Sequence, residues 1–418
     1  MNRFLLYSLC HLFFIGHLNS QPEARIIKKD DFSFLEKMTK AVLDSSRIEP
    51  GAVISSSFGP NNTHGVLIRP GGRDDYPSFW IRDYAMALES GLIKPKDQKH
   101  MLLLTAATQC DQAWITKNGS MVPYGSIADH IRIDDSLPIY FPGTYNYTEQ
   151  GNKEYGMVPP ICDQFYFIHM AWYYFKSTSD FNILNQDING TKLIDRLEVA
   201  FKMPPARQEN QIVYTDSSFR AVDFGFRDGV EITGDLCFSS ILKYRAARQM
   251  AMLFDKLKNK NKANKYNAIA GQIKHALPLI FSDQKGMLRA STGKSNQPDV
   301  WATALAVYFN ILEGDVLKKA CTVLSDAYEK GYLAYKGNIR HVLTSDDYNT
   351  TTAWEGARMD KNKYQNGAYW GTATGWVCYA ISKVNRNNAA QLAKEYIEDL
   401  KENDFRKGNG LGAPYECF

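Results

Sequence analysis

Gln164-Phe-Tyr-Phe-Ile-His-Met-Ala-Trp-Tyr-Tyr-Phe175 is apolar nearly all the way round a helical wheel. A helix without a polar face has to be buried on every side. Val300-Trp-Ala-Thr-Ala-Leu-Ala-Val-Tyr-Phe309 repeats the pattern, whereas Ala389 to Leu400 is amphipathic and charged along one side. The periodicity predicts helices at about 32–46, 83–93, 97–112, 163–178, 190–202, 235–257, 260–281, 298–312, 314–330, 368–384 and 388–403. Short turns at Lys94-Pro95, Ser177 to Asp180, Asn259 to Asn261, Glu313-Gly314 and Asn385 to Asn388 join them into helical hairpins. An inner ring of buried helices inside an outer ring of amphipathic ones accounts for the alternation. The expected fold is therefore all-α, an (α/α)6 toroid, with eleven helices counted and one inner helix of the twelve missing. Val213 to Phe219 and Tyr332 to Val342 are expected to form short strands.

The termini and composition narrow the class. Arg3 followed by the apolar run Phe4 to Ile15, with Leu18-Asn19-Ser20 before Gln21, reads as a signal peptide over 1–20 and leaves 21–418 as one domain. The apolar run is shorter than the ~20 residues a membrane span needs. An exported protein, secreted or periplasmic, is expected. A net charge of +4 spread over 418 residues is too small for a nucleic-acid footprint. Six cysteines follow the signal and none forms a C-x-x-C pair, which argues against a cysteine metal site. Aromatic residues make up 13% of the chain, which mildly favours a carbohydrate-handling surface.

The long connections 113–162, 203–234 and 331–367 each precede an inner helix, and they carry most of the chemical groups. Trp80-Ile81-Arg82-Asp83-Tyr84 opens the second helix with a charged pair among aromatics, which is costly to bury unless paired or used. Trp80, Arg82 and Asp83 suit a sugar: rings stack on its apolar face and charged groups hold its hydroxyls. Segment 223–240 holds Asp223, Asp228, Glu231 and Asp235. Asp235 reads as a first-turn acid of the sixth helix. Asp228, between aromatics and Arg227, is the better catalytic acid, and Glu231 reads as part of the same cap as Asp235. Near the C-terminus, Glu416 stands between Tyr415 and Phe418 after a Gly/Pro loop and is a second catalytic carboxylate; a solvated tail is the plainer alternative. Two carboxylates across a pocket can cleave a glycosidic bond, one giving a proton to the leaving oxygen and the other activating water or attacking directly. Tyr364-Gln365-Asn366-Gly367-Ala368-Tyr369-Trp370-Gly371 opens the tenth helix, and Gln365, Asn366 and Trp370 are candidates for the substrate. Glu355 is a further candidate acid. Asp163, at the start of an inner helix, suits a helix cap or a substrate hydroxyl. Asp129-His130 with Asp134-Asp135 matches no strong metal spacing, so neither metal nor cofactor is expected. His169, mid-helix among aromatics, is expected to be a satisfied core histidine.

This pattern resembles the six-hairpin glycosidase superfamily, which includes glucoamylases, trehalases, processing α-glucosidases and α-L-rhamnosidases. The aromatic-Arg-Asp motif resembles Trp80 to Tyr84, the acid stretch Phe226 to Gly234, and the Gly-x-Trp motif Gly367 to Gly371. The resemblance implies Asp228 or Glu231 as general acid, Glu416 as base, and inversion at the sugar. The acid stretch lacks the Trp-Glu-Glu and Glu-Ser-Gly-x-Asp forms, and Tyr415 separates Pro414 from Glu416, so the sugar is left open. A toroidal polysaccharide lyase using Tyr124 and His130, or a glycan-binding protein without catalysis, are the alternatives. The oligomeric state is not legible.

Overall fold

The computed structural model describes residues 26–54, 56–71, 76–408 and 412–418. The expected signal peptide, the loop residues 73–75 and part of the C-terminal glycine loop lie outside them. Eleven α-helices run through the described residues: α1 Lys29–Ser46, α2 Ile81–Ala87, α3 Pro95–Ala107, α4 Cys162–Thr178, α5 Leu193–Lys202, α6 Cys237–Lys256, α7 Lys260–Phe281, α8 Val300–Tyr308, α9 Gly314–Glu329, α10 Thr374–Ser382 and α11 Arg386–Glu402. Local chemistry sets several of their starts. Pro95 occupies the first turn of α3, where a missing N–H costs nothing. Asn259, Asp299 and Asn385 cap α7, α8 and α11, each side chain accepting from a first-turn amide.

Burial follows the periodicity. Every residue of α8 from Val300 to Val307 is buried, whereas α11 buries one stripe built on Ala389, Leu392, Ala393, Ile397 and Leu400. In chain order α2 packs on α4, α4 on α6, α6 on α8, and α8 on α10, and α3, α5, α7, α9 and α11 each pack on a sequence-adjacent member of that row. The inner row so described has five helices. The closed ring of six pairs rests on the sequence pattern alone.

The chain is not purely helical. The long connections before α4, α6 and α10 fold into short strands, and the described residues hold seven small sheets of two or three strands. Several boundaries also move, two of them because strands take the expected helix start. Asp235 belongs to a strand, Gly234–Asp235, where its carboxylate accepts from Arg207, and α6 starts only at Cys237. Tyr369–Trp370 is a strand as well, so α10 begins at Thr374 rather than near 368. In both places the extended residues pair with a partner far away in sequence, which local propensity cannot register. The six cysteines among the described residues are free. No helix among them is long and apolar enough to cross a membrane.

Candidate active site

The site is assembled by strand register. Ser78–Trp80 runs antiparallel to His130–Arg132, with Trp80 opposite His130, and the Ile81 N–H donates to the Asp129 carbonyl at 3.1 Å. One residue further on, Arg82 meets the Asp129 side chain, Nη1 to Oδ1 at 2.5 Å. The other oxygen of Asp129 holds His130 Nδ1 at 2.7 Å, and His130 Nε2 lies 2.9 Å from the Thr144 carbonyl. Trp80 stacks on the His130 ring at 4.5 Å between centroids, and Tyr76 and Tyr145 meet Trp80 edge-on.

Arg82 also lies 3.5 Å from Asp83 and 3.8 Å from Asp163, so three carboxyls surround one guanidinium. Their titration separates. Burial pushes all three up. For Asp129 the charge of Arg82 and the contact with His130 override burial and leave its pKa below the usual carboxylate range. For Asp163 burial wins, reinforced by Asp129 and Asp83, and the pKa stands well above that range. Asp83 is raised by the same burial, partly offset by Arg82.

Segment 223–231 closes on this group. Gly225 has no side chain because none fits: a Cβ would stand 1.9 Å from Arg82 Nε. The buried Arg227 ties the segment down, with Nε and Nη2 on the two oxygens of Asp223 at 3.0 and 2.6 Å, and Nη1 on Asp299 at 2.6 Å. Asp299 also caps α8. That arrangement presents the next residue, Asp228. Its Oδ1 accepts from Gln365 Nε2 at 2.7 Å. Burial raises the Asp228 pKa to about 6, against the opposing pull of Arg82 and Gln365.

Glu416 arrives from the other side. Tyr369 and Phe418 exchange both backbone hydrogen bonds at 3.0 Å, and Cys417 bridges to Trp370, so the last residues extend the sheet of Asn338–Arg340 and Tyr369–Trp370. Glu416 is therefore held on a sheet edge and is no solvated tail. The Tyr364 hydroxyl donates to its Oε1 at 3.1 Å. The residue is exposed to solvent, yet protein surrounds its carboxyl closely enough for desolvation to raise the pKa to about 7, with Asp83 and Asp228 adding to the rise. Both facts hold for a side chain on the wall of an open cleft. Arg82, Asp83, Asp228 and Glu416 thus share one electrostatic neighbourhood.

The remaining candidates fall elsewhere. Glu231 is half exposed on a strand paired with Gly356–Ala357 and sits 3.7 Å from Arg220. Glu355 accepts from the hydroxyl and N–H of Thr233 and from Ser295 N–H, which knits three loops together. Asn366 is buried and its amide binds Thr352, Ala353 and Met359, which takes it away from a sugar hydroxyl. Trp370 is fully buried, its indole N–H on the Tyr364 carbonyl. Gln365 is buried too and touches Asp228. Asp163 is not a cap: the residue before α4 is Ile161, no side chain caps the helix, and both Asp163 oxygens are without a hydrogen bond. His169 is a core histidine, bonded to Gln249 at 2.8 Å and lowered by burial to about 4. Asp129 and His130, weighed from sequence as a metal pair and, for His130, as a lyase base, are the floor of the Arg82 cluster. Asp134 and Asp135 pair with Arg132, and among the described residues no group of three or more His, Cys, Asp or Glu could hold a metal ion.

No protein-family model matches the chain, and no curated protein matches it in sequence. Solved structures do resemble it. The helical scaffold is glycosidase-like. A rhamnosidase from Klebsiella oxytoca with rhamnose bound superposes with a TM-score of 0.54 at 11% identity, covering 94% of this chain and 58% of that one. A sialidase gives 0.54 at 12% identity over 93% of this chain and 31% of its own. An α-L-rhamnosidase from Aspergillus terreus gives 0.50 at 11% over 88% and 33%. The chain therefore spans a little over half, or about a third, of the length of these structures. At such identity the likeness speaks for the fold alone.

Proposed function

We propose that this chain is an exported glycoside hydrolase that cleaves an oligo- or polysaccharide with the carboxyl pair Asp228 and Glu416, inverting the sugar as the superfamily resemblance implies. One observation carries the reading. Two carboxyls from segments 188 residues apart in numbering share one electrostatic neighbourhood with Arg82, and burial raises both, to about 6 and about 7. Asp228, the less exposed, gives its proton to the leaving oxygen. Glu416, at the open wall, takes a proton from water on the opposite face of the sugar. Arg82 and Asp83 would hold the sugar's hydroxyls, and Trp80 and Tyr76 would border it.

Burial raises both carboxyls, so either could carry the acid proton, and the exchanged assignment, with Glu416 as acid, is the second reading. Leaving-group dependence separates the two. A lyase is less favoured: both nitrogens of the buried His130 are engaged by Asp129 and Thr144, and Tyr124 is largely exposed.

The test is reducing-sugar release from a panel of glycans that includes rhamnosides, followed beside ultraviolet absorbance for unsaturated products. Release abolished by Glu416→Gln supports the reading. Absorbance without release would mark a lyase, and binding with neither signal a glycan-binding protein. Export predicts a mature N-terminus at Gln21, which the intact mass of secreted protein checks.

A further inference from the structure

We infer that the consecutive residues Tyr364 and Gln365 form a two-residue clamp that fixes the separation of Asp228 and Glu416 and favours Oδ2 of Asp228 for the acid proton. The inference rests on the carboxyl pair proposed above and adds the residues that position it.

Tyr364 donates its hydroxyl to Glu416, and Gln365, its neighbour, donates its amide to Asp228. The orientation of the Gln365 amide is settled by a backbone group. The Gly229 N–H reaches Gln365 Oε1 at 2.6 Å, and an N–H can only donate, so the oxygen faces Gly229 and the NH2 faces Asp228. An amide NH2 cannot accept, so Asp228 Oδ1 receives this hydrogen bond, and the acid proton is favoured on Oδ2, which leaves the better carbonyl acceptor at Oδ1. The Tyr364 hydroxyl, able to donate or accept, donates to Oε1 of ionised Glu416 and leaves Oε2 for water.

The dipeptide itself is held from behind. The Trp354 indole N–H donates to the Gln365 carbonyl at 3.0 Å and the Trp370 indole N–H to the Tyr364 carbonyl at 3.2 Å. Tyr364 has a left-handed backbone, φ 45°, unusual for a bulky side chain and a conformation that surrounding contacts must enforce. Asn366 locks the following residue through its three side-chain hydrogen bonds. Gly229 has to be glycine for the approach, because a Cβ there would lie 2.4 Å from Met359 Cε and 3.0 Å from Gln365 Oε1. Two aromatic donors, a strained residue and a glycine all serve the placement of two side chains.

The other groups around the pair are fixed background. Asp228 faces Arg82, Asp129, Tyr155 and Glu416, and Glu416 faces Arg82, Asp83 and Asp228. Against that background each clamp donor favours the ionised carboxylate and holds its pKa down. Removing a donor must therefore raise its partner's titration midpoint.

The test is a carboxyl NMR titration of the full chain with 13C-labelled aspartate and glutamate, assigned with Asp228→Asn and Glu416→Gln. Gln365→Met should raise the Asp228 midpoint by about one to two units, since a hydrogen bond to the charged form is lost. Tyr364→Phe should raise that of Glu416 by about as much. Gln365→Glu keeps the acceptor for Gly229 and sets a second carboxyl against Asp228, so it should raise the midpoint too; it serves if the methionine variant does not fold. Unmoved midpoints in folded variants overturn the clamp. Loss of turnover in Asp228→Asn with unmoved midpoints would keep the hydrolase reading and remove the clamp. Shifted midpoints with full turnover in both Asp228→Asn and Glu416→Gln would overturn the hydrolase reading and, with it, the clamp's role in positioning a catalytic pair.

Discussion

Gly225→Ala should damage the protein through one contact. The Gly225 backbone is not among the left-handed glycines, so alanine meets no conformational penalty there. The obstacle is Arg82, whose Nε and Cζ lie 1.9 and 2.1 Å from the position a Cβ would take, where ordinary contact begins at 3.4 Å. About 1.5 Å has to be found. The guanidinium cannot yield it without leaving Asp129, its partner at 2.5 Å in a fully buried setting. Overpacking costs about 1–3 kcal/mol, and loosening a buried ion pair adds up to about 3–5 kcal/mol if Asp129 is left alone. A loss of about 2–4 kcal/mol in unfolding free energy is expected, read from urea midpoints. The decisive assay is a double-mutant cycle. In an Arg82→Ala background the same glycine substitution should cost less than about 1 kcal/mol, because the clashing group is gone. Equal costs in both backgrounds would refute the reasoning and place the strain elsewhere.

Three further outcomes follow from the same contacts. The folded pKa values of Asp228 and Glu416 lie above the usual carboxylate values, so the folded state binds more protons than the unfolded one and these groups lower stability as pH rises from about 4 through 7. Asp228→Asn/Glu416→Gln should accordingly melt with wild type near pH 4 and above it at pH 8; identical melting curves at both would contradict this. Burial raises the Asp163 pKa, whereas Arg82 and His130 lower that of Asp129, so Asp163→Asn should cost less thermal stability than Asp129→Asn, which should cost about 2 kcal/mol or more, as removal of a buried charge partner does. Arg227→Met leaves Asp223 and Asp299 buried without their cation and should destabilise by about 3–5 kcal/mol, measured by denaturant titration.

Helices were legible because burial and periodicity say the same thing in this chain: Phe165 to Met170 and Val300 to Val307 are apolar at every turn and buried at every turn. Asp228, Glu416 and Arg82 were legible because charged residues amid aromatics stand out in any reading. Their uses beyond that were not. The partner of Gln365 lies 137 residues away and that of Tyr364 52 residues away, distances set by strand pairing that no local pattern encodes. Asn366 has the chemistry of a sugar ligand, but it is buried and bound into its own loop. Asp163 stands near a helix start, but two residues inside the cap position of α4, too far to act as one. Asp129 was hidden for the same reason as Gln365: only the register of Trp80 against His130 brings it to Arg82.

The central claim is that Asp228 and Glu416 divide the work of acid and base, and leaving-group dependence tests it most directly. Turnover of wild type, Asp228→Asn and Glu416→Gln should be compared on a hydrolysed glycan and on an aryl glycoside of the same sugar with a low-pKa phenol. Asp228→Asn is predicted to lose about 10²–10⁴-fold on the glycan, the usual contribution of a general acid, and far less on the aryl glycoside, whose leaving group needs no proton. Glu416→Gln should lose comparably on both. Leaving-group dependence appearing in Glu416→Gln instead would exchange the two roles, and full turnover in both variants would contradict the account.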